Sequence, residues 1–210
     1  MQESQLRISA SCLFEAEVYD VAFLNFLGLA EITDLGRDWY RVGYSALALG
    51  GFSKALESFE KAKAKEPNSC NPYVDAMIVL LYSASPIQED RNGNRAISIA
   101  KSLLHKPCDQ WKTDTLLAAA HAEIGDFDAA KLLLKEALHR CPENRKPVIF
   151  ARIAQYENRQ PFRITTEFIR QSLREFGNCI RCNANTSISQ NNYCVRCLET
   201  IDELGKPRKT

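Results

Sequence analysis

Between Asp38 and Asn68 the chain reads DWYRVGYSALALGGFSKALESFEKAKAKEPN. Apolar and small residues return there at three- and four-residue steps on both sides of Gly50 and Gly51. That spacing lines one face of an α-helix. The paired glycines interrupt it once, so the stretch predicts two short helices closed into a hairpin. The stretch TDTLLAAAHAEIGDFDAAKLLLKEALHRCPEN, Thr113 to Asn144, follows the same order.

The two stretches share their punctuation. Gly43, Gly50, Phe52, Ala55, Phe59, Ala62 and Pro67 map onto Ala118, Gly125, Phe127, Ala130, Leu134, Ala137 and Pro142, each at an offset of 75 residues. Between them, Ala96 takes the place of Ala55 and Ala130. The step from Ala55 to Ala96 is 41 residues and from Ala96 to Ala130 is 34. The extra seven residues fall in the turn Ser83 to Asn94, SASPIQEDRNGN, whose Pro, Gly and Asn are turn formers. A degenerate copy fits at the front, with Tyr19, Ala22, Phe26 and Leu29 standing 33 residues ahead of Phe52, Ala55, Phe59 and Ala62.

These residues resemble the tetratricopeptide repeat (TPR) family, whose unit is about 34 residues long. The resemblance covers residues 3–144. Small Ala55, Ala96 and Ala130 suit a close helix approach, Phe59 and Leu134 fill the space beside them, and Pro67 and Pro142 end the second helix. A single hairpin cannot bury its own apolar face, whereas a stack of hairpins makes a continuous core. The expectation is an all-α fold: a TPR-type solenoid of about four repeats with capping helices over residues 1–160, then a docking or linker helix over 161–178 and a small zinc-binding module with a basic tail over 179–210. PVIFARIAQYENR, Pro147 to Arg159, predicts a closing helix whose polar face caps the stack. ITTEFIRQSLREFGN predicts a further helix, capped by Thr165 or Thr166 and stopped by Gly177. Its apolar face is Phe168, Ile169, Leu173 and Phe176, and it is expected to dock the cysteine module onto the stack.

The resemblance also implies a site. In the family the first helix of each repeat lines a concave groove that holds a partner's peptide. By register that lining is Tyr40 and Tyr44, Val74 and Ile78, then Thr115 and Ala119, with Arg37, Arg41, Asn71 and Lys112 at the edge. The family's carboxylate clamp needs Lys and Asn where these apolar residues stand, which argues against a chaperone-tail receptor. An aromatic and aliphatic groove with a basic edge suits an amphipathic helix or an extended apolar segment of a partner protein. Against this stand two plainer readings: that Tyr40 and Tyr44 only pack on their own helices, or that the C-terminal helix fills the groove.

Composition narrows the setting. The 210 residues carry a net charge of +1, with 45% hydrophobic and 25% charged residues. That balance offers no electrostatic case for wrapping DNA or lying on an anionic membrane. The N-terminus lacks the charged start and apolar run of a signal peptide. Val21 to Ala30, the longest apolar run, is too short to span a bilayer. The reading is a soluble, cytoplasmic protein with no membrane span. In that compartment eight cysteines do not imply four disulfides.

Four of those cysteines form CIRCNANTSISQNNYCVRC, two Cys-x-x-Cys pairs at Cys179, Cys182, Cys194 and Cys197. Each pair offers two thiolates from one tight turn, and two pairs complete a tetrahedral shell for Zn²⁺. The stretch holds too little apolar sequence to fold unaided, so the metal would supply the folding free energy. Arg181 and Arg196, inside the two pairs, offset the charge of four thiolates on one ion. The module resembles zinc-ribbon and rubredoxin-type knuckles. Iron fits the same ligands. A redox dithiol would need a strand–helix setting that the sequence does not offer. Haem attachment would need His where Asn183 and Leu198 stand. Cys12, Cys70, Cys108 and Cys141 read as small, partly buried side chains. His121 falls on the packed side of its helix, and His105 and His139 in last turns. No phosphate loop, paired catalytic carboxylates or nucleophile elbow is present in the sequence.

The expected function is therefore non-enzymatic: an adaptor or chaperone-like scaffold in a multiprotein assembly, with a structural zinc module as its second contact surface. Two other classes are a nucleic-acid-associated factor using Arg181, Arg196, Lys206, Arg208 and Lys209, and a dithiol redox protein. Near-zero net charge argues against the first of these.

Overall fold

The computed structural model describes residues 3–66, 72–104 and 109–175. Ten α-helices lie among these residues: α1 Glu3–Glu15, α2 Tyr19–Thr33, α3 Gly36–Ala48, α4 Phe52–Lys65, α5 Pro72–Ala84, α6 Gly93–Leu103, α7 Gln110–Glu123, α8 Phe127–Arg140, α9 Lys146–Glu157 and α10 Thr166–Glu175. The described chain is all-helical. Helices α1 and α2, α3 and α4, α5 and α6, and α7 and α8 pack as hairpins. Each hairpin rests on the next through α2 on α3, α4 on α5, and α5 and α6 on α7, and α9 closes on α8.

The local reasons are the ones the repeat punctuation predicts. Gly50 and Gly125 take φ of +81° and +83°, a left-handed turn that costs glycine nothing. The Gly51 N–H then donates to the Ala46 carbonyl at 2.8 Å, and the Asp126 N–H to His121 at 2.9 Å, closing the last turns of α3 and α7. Asn92 and Asp126 accept from the Arg95 and Ala129 N–H groups at 3.0 and 3.1 Å, capping α6 and α8.

Ala55, Ala96 and Ala130 are fully buried where second helices meet their neighbours, as are Phe59 and Leu134 beside them. Burying each of these larger side chains stabilises by roughly 1.5–3 kcal/mol. The four residues of the degenerate first copy, Tyr19, Ala22, Phe26 and Leu29, are buried too.

Two details differ from the sequence expectation, and a third concerns the inserted turn. The outer face of α9 is not polar: Val148 and Phe150 are exposed on it. Cys12 is exposed, whereas Cys141 is buried; Cys70 and Cys108 lie outside the described residues. The insertion at Ser83 to Asn94 is anchored from within, with Ser85 and Asp90 buried while residues 86–89 are exposed. Asp90 accepts from Ser85 Oγ at 3.0 Å and from Ser53 Oγ of α4 at 3.1 Å, and the Asn92 N–H donates to the Tyr82 carbonyl at 2.8 Å.

After α9 the chain doubles back. The Ile164 N–H donates to the carbonyl of Ala84, at the end of α5, at 2.9 Å. Thr166 faces the Gly50 turn, and the Arg170 Nε–H donates to the carbonyl of Ala48, at the end of α3, at 2.9 Å. Residues 160–175 thus form a strap across the C-terminal ends of α7, α5 and α3. Its side chains Ile164 and Ile169 are buried, and Phe162, Phe168 and Leu173 pack on the same core.

Candidate partner-binding surface

Helix α3 carries four of the predicted site residues, and the fold treats them differently. Tyr40 is 2% exposed. Its ring packs edge-on against Tyr44 at 4.8 Å and Phe59 at 5.7 Å, and Tyr44 meets Phe59 at 5.5 Å. Tyr44 is half-buried and Arg37 exposed. Arg41 is directed toward the first hairpin: its guanidinium lies 5.6 Å from the Phe26 ring centroid and donates to Ser11 Oγ at 3.4 Å.

On α5, Ile78 is 1% exposed and Val74 half-buried. On α7, Lys112 and Thr115 are half-buried. Lys112 pairs with Asp109 at 2.8 Å and lies over the Trp111 ring, and the Thr115 hydroxyl donates to the Lys112 carbonyl at 2.7 Å. Ala119 is 3% exposed. Solvent therefore reaches Arg37, Arg41, Tyr44, Val74, Lys112 and Thr115, while Tyr40, Ile78 and Ala119 belong to the core. Asn71 and the four cysteines Cys179, Cys182, Cys194 and Cys197 lie outside the described residues.

The strap supplies side chains that the periodicity did not single out. Glu123, at the end of α7, accepts from Arg91 of the insertion at 2.9 Å and pairs with Arg163 of the strap at 2.7 Å. One carboxylate thereby ties the inserted turn and the returning chain to α7. Arg163 also donates to the Phe162 and Ser83 carbonyls at 2.9 and 3.4 Å. On α9 the Arg152 guanidinium stacks 3.8 Å over the Phe162 ring, and burial lowers its pKa. Tyr156 beside it is fully buried with no hydrogen-bond partner for its hydroxyl. Burial pushes that phenol up to about 12. Phe162, one of the apolar residues in the linker after α9, was the sequence signal for this contact.

What the surface offers is binding chemistry: an aromatic edge at Tyr44, an aliphatic one at Val74, and cations at Arg37 and Lys112. His121 of α7 is directed to Asp126, with Nδ1 3.2 Å from its carboxylate. Among the described residues no group of three or more His, Cys, Asp or Glu side chains is placed to hold a metal ion, and no helix is long and apolar enough to cross a membrane. No protein-family model matches the chain, and no curated protein matches it.

Proposed function

We propose that this protein is a non-enzymatic adaptor. Its TPR-type stack holds a segment of a partner protein along the first helices of the hairpins, within a cytoplasmic multiprotein assembly. Cys179, Cys182, Cys194 and Cys197 hold one structural zinc ion, and the module around it is a second contact surface. The observation that carries the reading is a division of labour within single helices. On α3 and α5, Tyr40 and Ile78 build the core, while Tyr44 and Val74, four residues away, stay half-exposed. Repeated hairpins that leave such a row accessible suit an extended or helical peptide. The donor set of four thiolates in two tight turns suits Zn²⁺, and the ion would act by holding the chain rather than by reacting.

The test is affinity purification of the tagged full chain from its own cells, with cross-link mapping and metal analysis of the same sample. The expected result is about one zinc per chain and cross-links from a partner to Lys112 or to residues beside Tyr44. Replacing Arg37, Tyr44 and Lys112 by alanine should remove the partner and lower the melting temperature no further than Tyr44→Ala alone does, since Tyr44 also packs on Tyr40 and Phe59. Tyr40 and Ile78 are left alone in that variant because their loss would damage the core. A partner retained by the triple variant, or a purified chain with zinc and no protein partner, overturns the groove reading.

A further inference from the structure

The second helices of the hairpins provide an internal comparison. In the register that aligns Phe26 with Phe59, the outward positions of α4 are Lys54, Glu57, Lys61 and Lys65. These are charged and partly exposed, and Lys54 and Lys61 pair with Glu57 at 2.9 and 2.7 Å. The same positions of α6 begin Arg95, Ser98 and Ser102. In α2 they are Val21, Leu24, Gly28 and Ile32. Val21 is 40% exposed, Leu24 63% and Ile32 70%. The place in the fold does not demand apolar residues, because α4 and α6 carry polar ones there. Helix α2 is thus apolar on its outer face as well as its inner one, which is the mark of a helix covered on both sides.

The shape of the stripe and the charge beside it indicate what covers it. Steps of three and four residues along one helix form a seam that another helix can follow. At its centre, a Cβ built on Gly28 meets nothing within 4 Å, so the seam has a dent between Leu24 and Ile32. A large apolar side chain from a facing helix would fill it. By helical spacing, Asp20 and Glu31 lie together along one flank of the stripe, and both are exposed. Residues 3–35 carry six carboxylates and one cation, Arg7. An antiparallel second copy of α2 would bring this acidic edge against itself, and an anionic membrane would be repelled by it.

We infer that the outer face of α2 is a docking site for an amphipathic helix of another protein, one with an apolar stripe flanked by lysines or arginines. The inference is independent of the groove on the first helices. The complex is held by burial of Val21, Leu24 and Ile32, and its orientation is set by Asp20 and Glu31.

The test uses the full chain and two labelled synthetic amphipathic helices, one of leucine and lysine, the other of leucine and glutamate, followed by fluorescence anisotropy. The leucine–lysine helix should bind about tenfold or more tightly than the other, and less tightly as salt is raised. The variant V21K/L24E/I32K gives α2 the residue types that α4 carries at these places, so helical content should be kept while binding falls about tenfold or more. The variant D20K/E31K leaves the stripe intact and should reverse the preference between the two peptides. This second variant decides the matter if the first fails to fold. Equal binding of both peptides, or binding unchanged by either variant, overturns the inference. So does a wild-type dimer that V21K/L24E/I32K converts to monomer, which would assign the stripe to a second copy. Binding to phosphatidylserine vesicles without discrimination between the peptides would assign it to a membrane.

Discussion

The carbonyl of Ala48 accepts a hydrogen bond from Arg170 Nε at 2.9 Å, across 122 residues of chain. The last described helix is thereby fastened to the end of α3, two residues before the left-handed Gly50. Together with the Arg163–Glu123 pair and the Ile164–Ala84 hydrogen bond, this contact holds the C-terminal strap on the stack of hairpins.

Gly50 and Gly125 have the same backbone shape but different surroundings. A Cβ at Gly50 would lie 2.7 Å from Thr166 Oγ1 of the strap, whereas one at Gly125 meets nothing within 4 Å. Gly125→Ala should cost about 1 kcal/mol, the strain of a left-handed alanine. Gly50→Ala should cost roughly 1 kcal/mol more, because the strap must also shift. Adding Thr166→Ala to Gly50→Ala should return the loss to the Gly125→Ala level. Urea unfolding of the three variants and the parent measures this, and equal losses for both glycines would show that the strap does not press on the turn.

Gly43 lies under Phe59: an added Cβ would come within 2.6 Å of its ring. The fourth hairpin holds Ala118 and Leu134 in the corresponding places, both fully buried. Gly43→Ala alone should destabilise by about 1–3 kcal/mol through overpacking. The pair Gly43→Ala with Phe59→Leu copies the fourth hairpin and should recover most of that loss in thermal melts. No recovery would mean that the two hairpins do not share one packing rule.

Asp38 of α3 is 1% exposed and receives Arg7 Nε and Nη2 of α1 at 3.1 and 2.9 Å, with the Thr33 hydroxyl at 2.8 Å. The hydrogen bond to Asp38 raises the Arg7 pKa. The pair is asymmetric, because Arg7 is part-exposed and Asp38 is not. Removing the arginine strands a buried carboxylate, whereas removing the acid leaves a cation that can turn to water. Arg7→Ala should therefore cost about 3 kcal/mol and Asp38→Asn less. The double variant should be more stable than Arg7→Ala alone, and a denaturant series on the three proteins reads the order directly.

Tyr156 gives a pH dependence with a definite sign. Burial raises its pKa from 10.0 to about 12, so the folded state holds the phenolic proton more tightly than the unfolded chain does. Its contribution to stability is fully present below pH 10 and is lost as pH rises through about 12. In Tyr156→Phe that part of the alkaline loss should vanish. At neutral pH the variant should be as stable as the parent or up to about 1 kcal/mol more so, since it removes a buried hydroxyl with no partner. Chemical denaturation between about pH 9 and pH 12, roughly the span over which the two states differ in bound protons, supplies the comparison.

The candidate binding surface was only partly legible in the sequence. Helical register brought Tyr40, Tyr44, Val74, Ile78, Lys112 and Thr115 onto first helices, and the structure puts all six on α3, α5 and α7. Register does not say which of two residues four apart is covered. Tyr40 disappears because Phe59 and Tyr44 enclose it, and Ile78 because neighbouring hairpins close over it. Arg41 carries the right charge for a groove edge, yet its guanidinium is drawn to Phe26 and Ser11 of the first hairpin.

Helix positions and the glycine turns could be read from the chain alone, because each depends on residues within one or two turns of each other, and the 75-residue register follows from comparing two such local patterns. The four-cysteine spacing at Cys179 to Cys197 is local in the same sense. The course of the strap was not readable in this way. It rests on Arg163 meeting Glu123, Ile164 meeting Ala84 and Arg170 meeting Ala48, contacts that exist only after α3, α5 and α7 have come together. The exposed stripe on α2 is the converse case. Its apolar residues are plain in the sequence, where they look like core, and only the packed hairpins show that Val21, Leu24 and Ile32 remain outside.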